Sequence, residues 1–252
     1  MASLAQLAQV SDAVAGESGR LAKIGRLAAY LRDLPAESAG LAACLLAGEL
    51  PRGRIGAGPT QVATARRSPP AQRATLTLAG LEQGFAAVAA IAGSGAQARR
   101  QSRLAALFGQ ATDREQALLG GLLTGALRQG ATTGLVQEAV ARAAGVPPEQ
   151  VRRAIMLCGD LRRVTTIALA EGTPGLASIG LTLFRPVQPM LAEPAEGLEE
   201  ALDRLDRPFL EYKLDGARIQ VHKSGEEVRV YSRQGNEVTA ALPEIRELVA
   251  PL

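Results

Sequence analysis

For the first 180 residues, apolar side chains recur every three or four positions, and no stretch of any length alternates with period two. That pattern confines this part of the chain to helices packed on helices. Over 20–34, Leu21, Ile24, Leu27, Ala28 and Leu31 mark one helical face, and Pro35 stops it. A second helix is expected over 41–50, closed by Pro51 and followed by a Gly/Pro turn over 51–59. A short helix over 60–67 precedes the Ser68-Pro-Pro break, and further helices are expected over 75–92, 97–108, 112–128, 133–145 and 148–170. Thr112-Asp-x-Glu115 has the form of a capping box, and Pro148 sits where a first helical turn accepts proline. Four Phe, three Tyr and no Trp leave the core to Leu, Ala and Val, which suits closely spaced helices. So few rings argue against a platform for stacking single-stranded bases.

The character changes over 174–195, where Pro174, Pro186, Pro189 and Pro194 exclude a continuous helix. The expected organisation is a helical domain over 1–182, a linker over 183–195, and the start of a second domain over 196–252. In the second part a short helix is expected over 197–205, with Leu198, Ala201, Leu202 and Leu205 on one face. Alternation from Ala217 to His222 and from Val228 to Arg233, about a turn at Ser224-Gly-Glu226, predicts a β-hairpin. A helix follows from about Leu242.

Charge divides the chain in the same place. Residues 1–182 carry a net +7 and residues 183–252 a net −4. In the first part, 18 of 19 basic residues are Arg, the side chain that grips phosphate bidentately. Such asymmetry points the first part at a polyanion. One His and two distant Cys exclude a His-rich metal site and a disulfide scaffold. Cys44 and Cys158 are expected as buried free thiols, and His222 as structural or solvated. No signal peptide or apolar run of membrane-spanning length occurs, so a soluble, cytoplasmic protein is expected.

The chemistry-bearing residues cluster on and beside the two strands of the expected hairpin. Lys213-Leu-Asp-Gly-Ala-Arg218 is a K-x-D-G-x-R pattern expected on the first strand, and the return strand leads into Ser232-Arg-Gln-Gly-Asn-Glu-Val-Thr239. A lysine attacks only when neutral, and an ordinary lysine is neutral in roughly one molecule of a few thousand near pH 7. Burial and neighbouring cations raise that fraction, and Arg218 and Arg233 are cations that also clamp phosphate oxygens. Glu211, Lys213 and Asp215 share one face of an extended segment. A bulge or turn at Gly216 is expected to bring Arg218 round to that face.

These two windows resemble the first motifs of the covalent nucleotidyltransferases: ATP-dependent DNA ligases, RNA ligases and capping enzymes. The resemblance implies that Lys213 attacks the α-phosphate of a nucleotide. It further implies that Glu211 contacts adenine, that Arg218 and Arg233 contact ribose and phosphates, and that Asp215 supports the lysine or its metal. The preceding residues narrow the choice. Arg54-Ile-Gly-Ala-Gly58, Leu122-Leu-Thr-Gly-Ala-Leu-Arg128, Val151-Arg-Arg-Ala-Ile-Met-Leu-Cys158 and Phe184-Arg-Pro-Val-Gln-Pro-Met-Leu-Ala192 are similar, in order and spacing, to the helical DNA-binding domain of the larger ATP-dependent DNA ligases.

The implied fold is an all-α DNA-binding domain followed by the β-rich start of an α+β adenylation domain. ATP and Mg2+ are the implied cofactors, and nicked duplex DNA the implied partner of a monomeric enzyme. A role in replication, repair or recombination goes with the resemblance. Arg128, Arg152 and Arg153 are the candidate phosphate contacts. The family's later motifs and its OB domain are not found in residues 1–252, so this chain alone is expected not to seal nicks. The alternative is a non-enzymatic DNA-binding module that keeps a transferase remnant.

Overall fold

The computed structural model describes all residues except Met1, Arg52, Arg54, Arg128, Met190, Leu191, Ala192, Glu193 and Leu214. The chain divides into two compact units, one of residues 1–154 and 160–178, the other of residues 155–159 and 179–252.

The first unit is helical. In order it holds α1 (Leu4–Gly16), α2 (Arg20–Arg32), α3 (Ala36–Leu46), α4 (Pro59–Ala65), α5 (Leu78–Ala89), α6 (Ala96–Gly109), α7 (Asp113–Thr124) and α8 (Thr133–Ala144). It also holds most of α9 (Pro148–Cys158) and all of α10 (Leu161–Ala177). Helix α3 is buried from Ala39 through Leu46, the signature of a helix enclosed on every side. It packs on α10, while α2 packs on α8. Leu27, Ala28 and Leu31 of α2 and Val136, Ala139 and Val140 of α8 are all buried. The Leu/Ala/Val core expected from the composition is present, with Phe85 and Phe108 as its buried rings.

Several boundaries differ from the sequence pattern, each for a local reason. Helix α1 starts at a capping box: Gln6 N–H donates to the Ser3 hydroxyl and Ser3 N–H to the Gln6 side chain. The Ser-x-x-Gln spacing was the available signal. The stretch expected as one helix over 148–170 is two, because Gly159 takes φ +65° and Asp160 caps the next helix by accepting from Arg163 N–H at 2.9 Å. The helix expected to 128 stops at Thr124, where Gly125 takes φ +67°. The Thr112–Glu115 box is as expected, with Thr112 N–H and hydroxyl both donating to the Glu115 carboxylate at 2.8 Å.

A buried polar junction binds distant parts of this unit. The Gln129 side chain accepts from the Ser11 hydroxyl at 2.5 Å and donates to the Leu46 carbonyl. It thereby satisfies both ends of a buried amide while joining α1, the end of α3 and the loop before α8.

Cys44 and Cys158 are free and buried. The Cys44 thiol is pushed up to about 12, by burial first and then by the charges of Glu49 and Asp160. At pH 8 its thiolate is rarer than that of an ordinary thiol by about a thousandfold. In Cys158→Ser protein, a thiol-disulfide reagent should therefore leave Cys44 untouched until denaturant is added. Rapid labelling of folded protein would contradict this.

The second unit contains α11 (Leu198–Asp203), the hairpin β1 (Ile219–Ser224) and β2 (Glu227–Ser232), and α12 (Pro243–Val249). The strands pair antiparallel, from Ile219 with Ser232 to Ser224 with Glu227, so the turn falls where the alternation placed it. Val228, Val230 and Tyr231 are buried. The expected apolar face of α11 is not covered here: Leu198 and Leu202 are exposed, as is Leu205 just beyond. Among the described residues no helix is long and apolar enough to cross a membrane.

Candidate functional site

The hairpin decides where the candidate transferase residues stand. Arg218 immediately precedes β1 and Arg233 immediately follows β2. Because Ile219 pairs with Ser232, the two arginines flank the same end of the ladder, as a shared phosphate site would need. Glu211, Lys213 and Asp215 lie in irregular backbone between α11 and β1. All five of these side chains are exposed.

One expectation is corrected here. Lys213 through Arg218 were expected on the first strand, but that strand begins only at Ile219. A strand exists only against a partner, and β2, the sole neighbour of β1 among the described residues, ends at Ser232 and turns at Gly235 (φ +80°). The burial that would favour a neutral Lys213 is also not supplied by these residues: the segment around it is open, with Phe209 97% and Tyr212 95% exposed. Gly216 does mark a bend, but its φ is outside the left-handed region and a Cβ there would meet nothing within 4 Å.

His222 takes the structural role. Its Nδ1 accepts from Phe184 N–H at 2.9 Å, and its ring meets Tyr231 edge-on at 5.0 Å between centroids. The stretch expected as linker is partly docked: Val187 N–H donates to the Gln220 side chain at 2.9 Å, and Gln220 donates back to the Val187 carbonyl. Among the described residues no three His, Cys, Asp or Glu side chains converge on a metal site. Glu211 and Asp215 are nonetheless oxygen donors of the kind Mg2+ takes singly, alongside substrate phosphates.

In the helical unit, the structure sorts arginines that the sequence could not. Arg20 pairs with Glu138, Arg26 with Glu17, Arg114 with Asp12 and Arg162 with Glu82. Arg99 and Arg100 donate to the Ala92 and Ile91 carbonyls at 2.6 Å, closing the loop before α6. Arg32 donates to the Arg142 and Ala143 carbonyls at the end of α8, where a cation also favours the helix dipole. Of the candidate phosphate contacts, Arg152 and Arg153 are exposed on α9, and Arg128 lies outside the described residues. Arg66, Arg67, Arg73, Arg103 and Arg163 are also exposed. Their identity as arginines was legible, but their exposure was not.

An all-helical unit joined to the opening hairpin of a nucleotidyltransferase domain is the class of protein defined by this fold and these motifs. Residues 60–141 match the family model described as DNA ligase N terminus, and residues 189–252 match that of the ATP dependent DNA ligase domain. A "Probable DNA ligase" of Anaeromyxobacter sp. (strain Fw109-5) is 50% identical over 99% of this chain and 48% of its own length. A "Probable DNA ligase" of Streptomyces griseus subsp. griseus is 47% identical over 99% of the chain and 48% of its own length. One of Sorangium cellulosum is 46% identical over 99% and 47% respectively. The chain thus matches the N-terminal and middle domains of the ATP-dependent DNA ligase family. It spans about half the length of the curated relatives it matches.

Proposed function

We propose that the protein containing this chain is a monomeric, cytoplasmic enzyme that seals nicks in duplex DNA at the expense of ATP. One observation carries the reading: Glu-Tyr-Lys213-Leu-Asp-Gly-Ala-Arg218 leads directly into a hairpin that sets Arg218 and Arg233 at one end of its ladder. Lys213 Nζ attacks the α-phosphorus of ATP. A nitrogen–phosphorus bond forms, the bond to the β-phosphate oxygen breaks, and pyrophosphate leaves. The AMP then passes to the 5′-phosphate of the nick, and the 3′-hydroxyl displaces it as the phosphodiester forms. Arg218 and Arg233 orient the phosphate oxygens, Glu211 contacts the adenine, and Asp215 is the carboxylate beside Lys213 that positions the amine or holds Mg2+. Magnesium, when bound, offsets the phosphate charge that repels a nucleophile. Incubating the full-length gene product with α-labelled ATP or GTP tests the reading. Covalent label from ATP alone supports it; label from GTP alone, or none from either, contradicts it.

The helical unit is proposed to hold the duplex through its phosphates, without reading bases. Its net positive charge and its exposed arginines, Arg152 and Arg153 among them, support this. Binding to duplex DNA should weaken by about 0.9 log units per tenfold rise in salt for each phosphate neutralised. Arg152→Ala and Arg153→Ala should each flatten that slope by about one such contact. A slope near zero in the unsubstituted protein would remove the proposal.

A further inference from the structure

In the second unit, one residue is held in a conformation its side chain opposes. Phe184 has φ +61°, the only positive value at a non-glycine position among the described residues. A bulky aromatic adopts this region only where its surroundings over-determine it. Here the hairpin supplies three restraints. His222 Nδ1 accepts from the Phe184 N–H at 2.9 Å. Tyr231 OH donates to the Phe184 carbonyl at 2.8 Å. The Arg229 guanidinium carbon stands 4.7 Å from the centroid of the Phe184 ring. Both backbone polar groups of one strained residue are thus satisfied by side chains of the paired strands. Residues 184–188 follow as a strap, fastened by the Gln220–Val187 pair and by Gln188 N–H donating to the Met156 carbonyl at 2.9 Å.

The His222 contact has a fixed polarity. A backbone N–H can only donate, so Nδ1 must carry no proton and the imidazole must be neutral. A second proton on the ring would sit on Nδ1 and face the Phe184 N–H, donor against donor. No side-chain rearrangement at Phe184 can supply an acceptor in its place. Charged and titratable residues of both signs lie on the neighbouring elements. Arg229 is the cross-strand partner of His222, Lys223 is adjacent on β1, and Arg185 is adjacent on the strap. Tyr231 meets the ring edge-on and has its hydroxyl hydrogen committed to Phe184. Glu227 and Glu237 pair with Arg229. Helix α12, packed on β2, contributes Glu244, Arg246 and Glu247.

We propose that His222 is a proton-released latch: neutral, it holds Phe184 and the 184–188 strap on the hairpin, and protonated, it lets them go. The sign follows from the contact. The latch is closed when the imidazole is neutral and opens when falling pH protonates it. The device is independent of any transfer chemistry at Lys213.

Hydrogen–deuterium exchange on the full chain at pH 8 and pH 5, with each rate divided by its intrinsic rate at that pH, tests it. Protection of the Phe184 and Val187 amides should fall at least tenfold at pH 5, while the inter-strand amides of β1 and β2 keep theirs. His222→Gln retains a neutral acceptor, so its strap protection should be the same at both pH values. Unchanged protection of Phe184 at pH 5, equal loss across the hairpin, or a pH step that persists in His222→Gln would each overturn the latch.

Discussion

Lys213→Ala should abolish covalent uptake of label from α-labelled ATP, with no residual adduct on denaturing gels. The effect is large because the proposed product is a bond to the lysine nitrogen itself. Alanine offers no nitrogen, and no other side chain is invoked to take its place. Lys213→Arg should fail as completely: a guanidinium stays protonated and delocalised at any working pH, so it has no free electron pair to offer phosphorus. Retaining the charge therefore does not retain the reaction. Asp215→Asn and Arg218→Ala should reduce labelling without abolishing it, since each acts on the geometry or charge about the bond. Undiminished labelling of Lys213→Ala would show that the K-x-D-G segment is not the nucleophile. The same variant should fold normally, because Lys213 is exposed.

Gly40→Ala should destabilise the helical unit, against what helix propensity alone predicts. Alanine is favoured over glycine inside a helix by about 1 kcal/mol. At Gly40, however, a Cβ would lie 2.6 Å from Thr166 Oγ1 and 2.8 Å from the Arg162 carbonyl oxygen. The second contact is with backbone, so it is relieved only by moving α10 away from α3. That pair forms the buried centre of the unit, and overpacking of such a contact costs roughly 1–3 kcal/mol. A unit of this size should lose about 2–4 °C in Tm per kcal/mol. Gly134→Ala in α8 is the control, since a Cβ there meets nothing within 4 Å and should leave stability level or slightly raised. A Gly40→Ala protein as stable as the unsubstituted one would mean that α3 and α10 are not packed as described.

The exposed apolar residues of the second unit bear on the first of these expectations. Phe209, Leu210 and Tyr212 flank Lys213, and Leu248 and Leu252 lie in and after α12, all open to solvent. The curated relatives extend to about twice this length. The burial that the proposed reaction asks of Lys213 is not supplied by these residues.

What the amino-acid sequence determined was everything encoded at short range. The helical period and its punctuation placed most helices of the first unit, and Thr112–Glu115 and Pro148 marked two starts. Strict alternation placed the hairpin and its turn, and K-x-D-G-x-R pointed to the proposed chemistry without reference to any fold. These signals survive because a few neighbouring side chains produce them. Tertiary structure decided whatever depends on distant partners. Strand β1 starts at Ile219 rather than at Lys213 because pairing, not composition, ends a ladder. Glu82 and Glu138, distant in sequence, claim Arg162 and Arg20 for structure, while Arg152 stays exposed to solvent. Phe184 takes a left-handed backbone because His222 and Tyr231, 38 and 47 residues further on, satisfy its amide and carbonyl. No local pattern announces such a contact, since its energy belongs to two segments that meet only once the chain has folded.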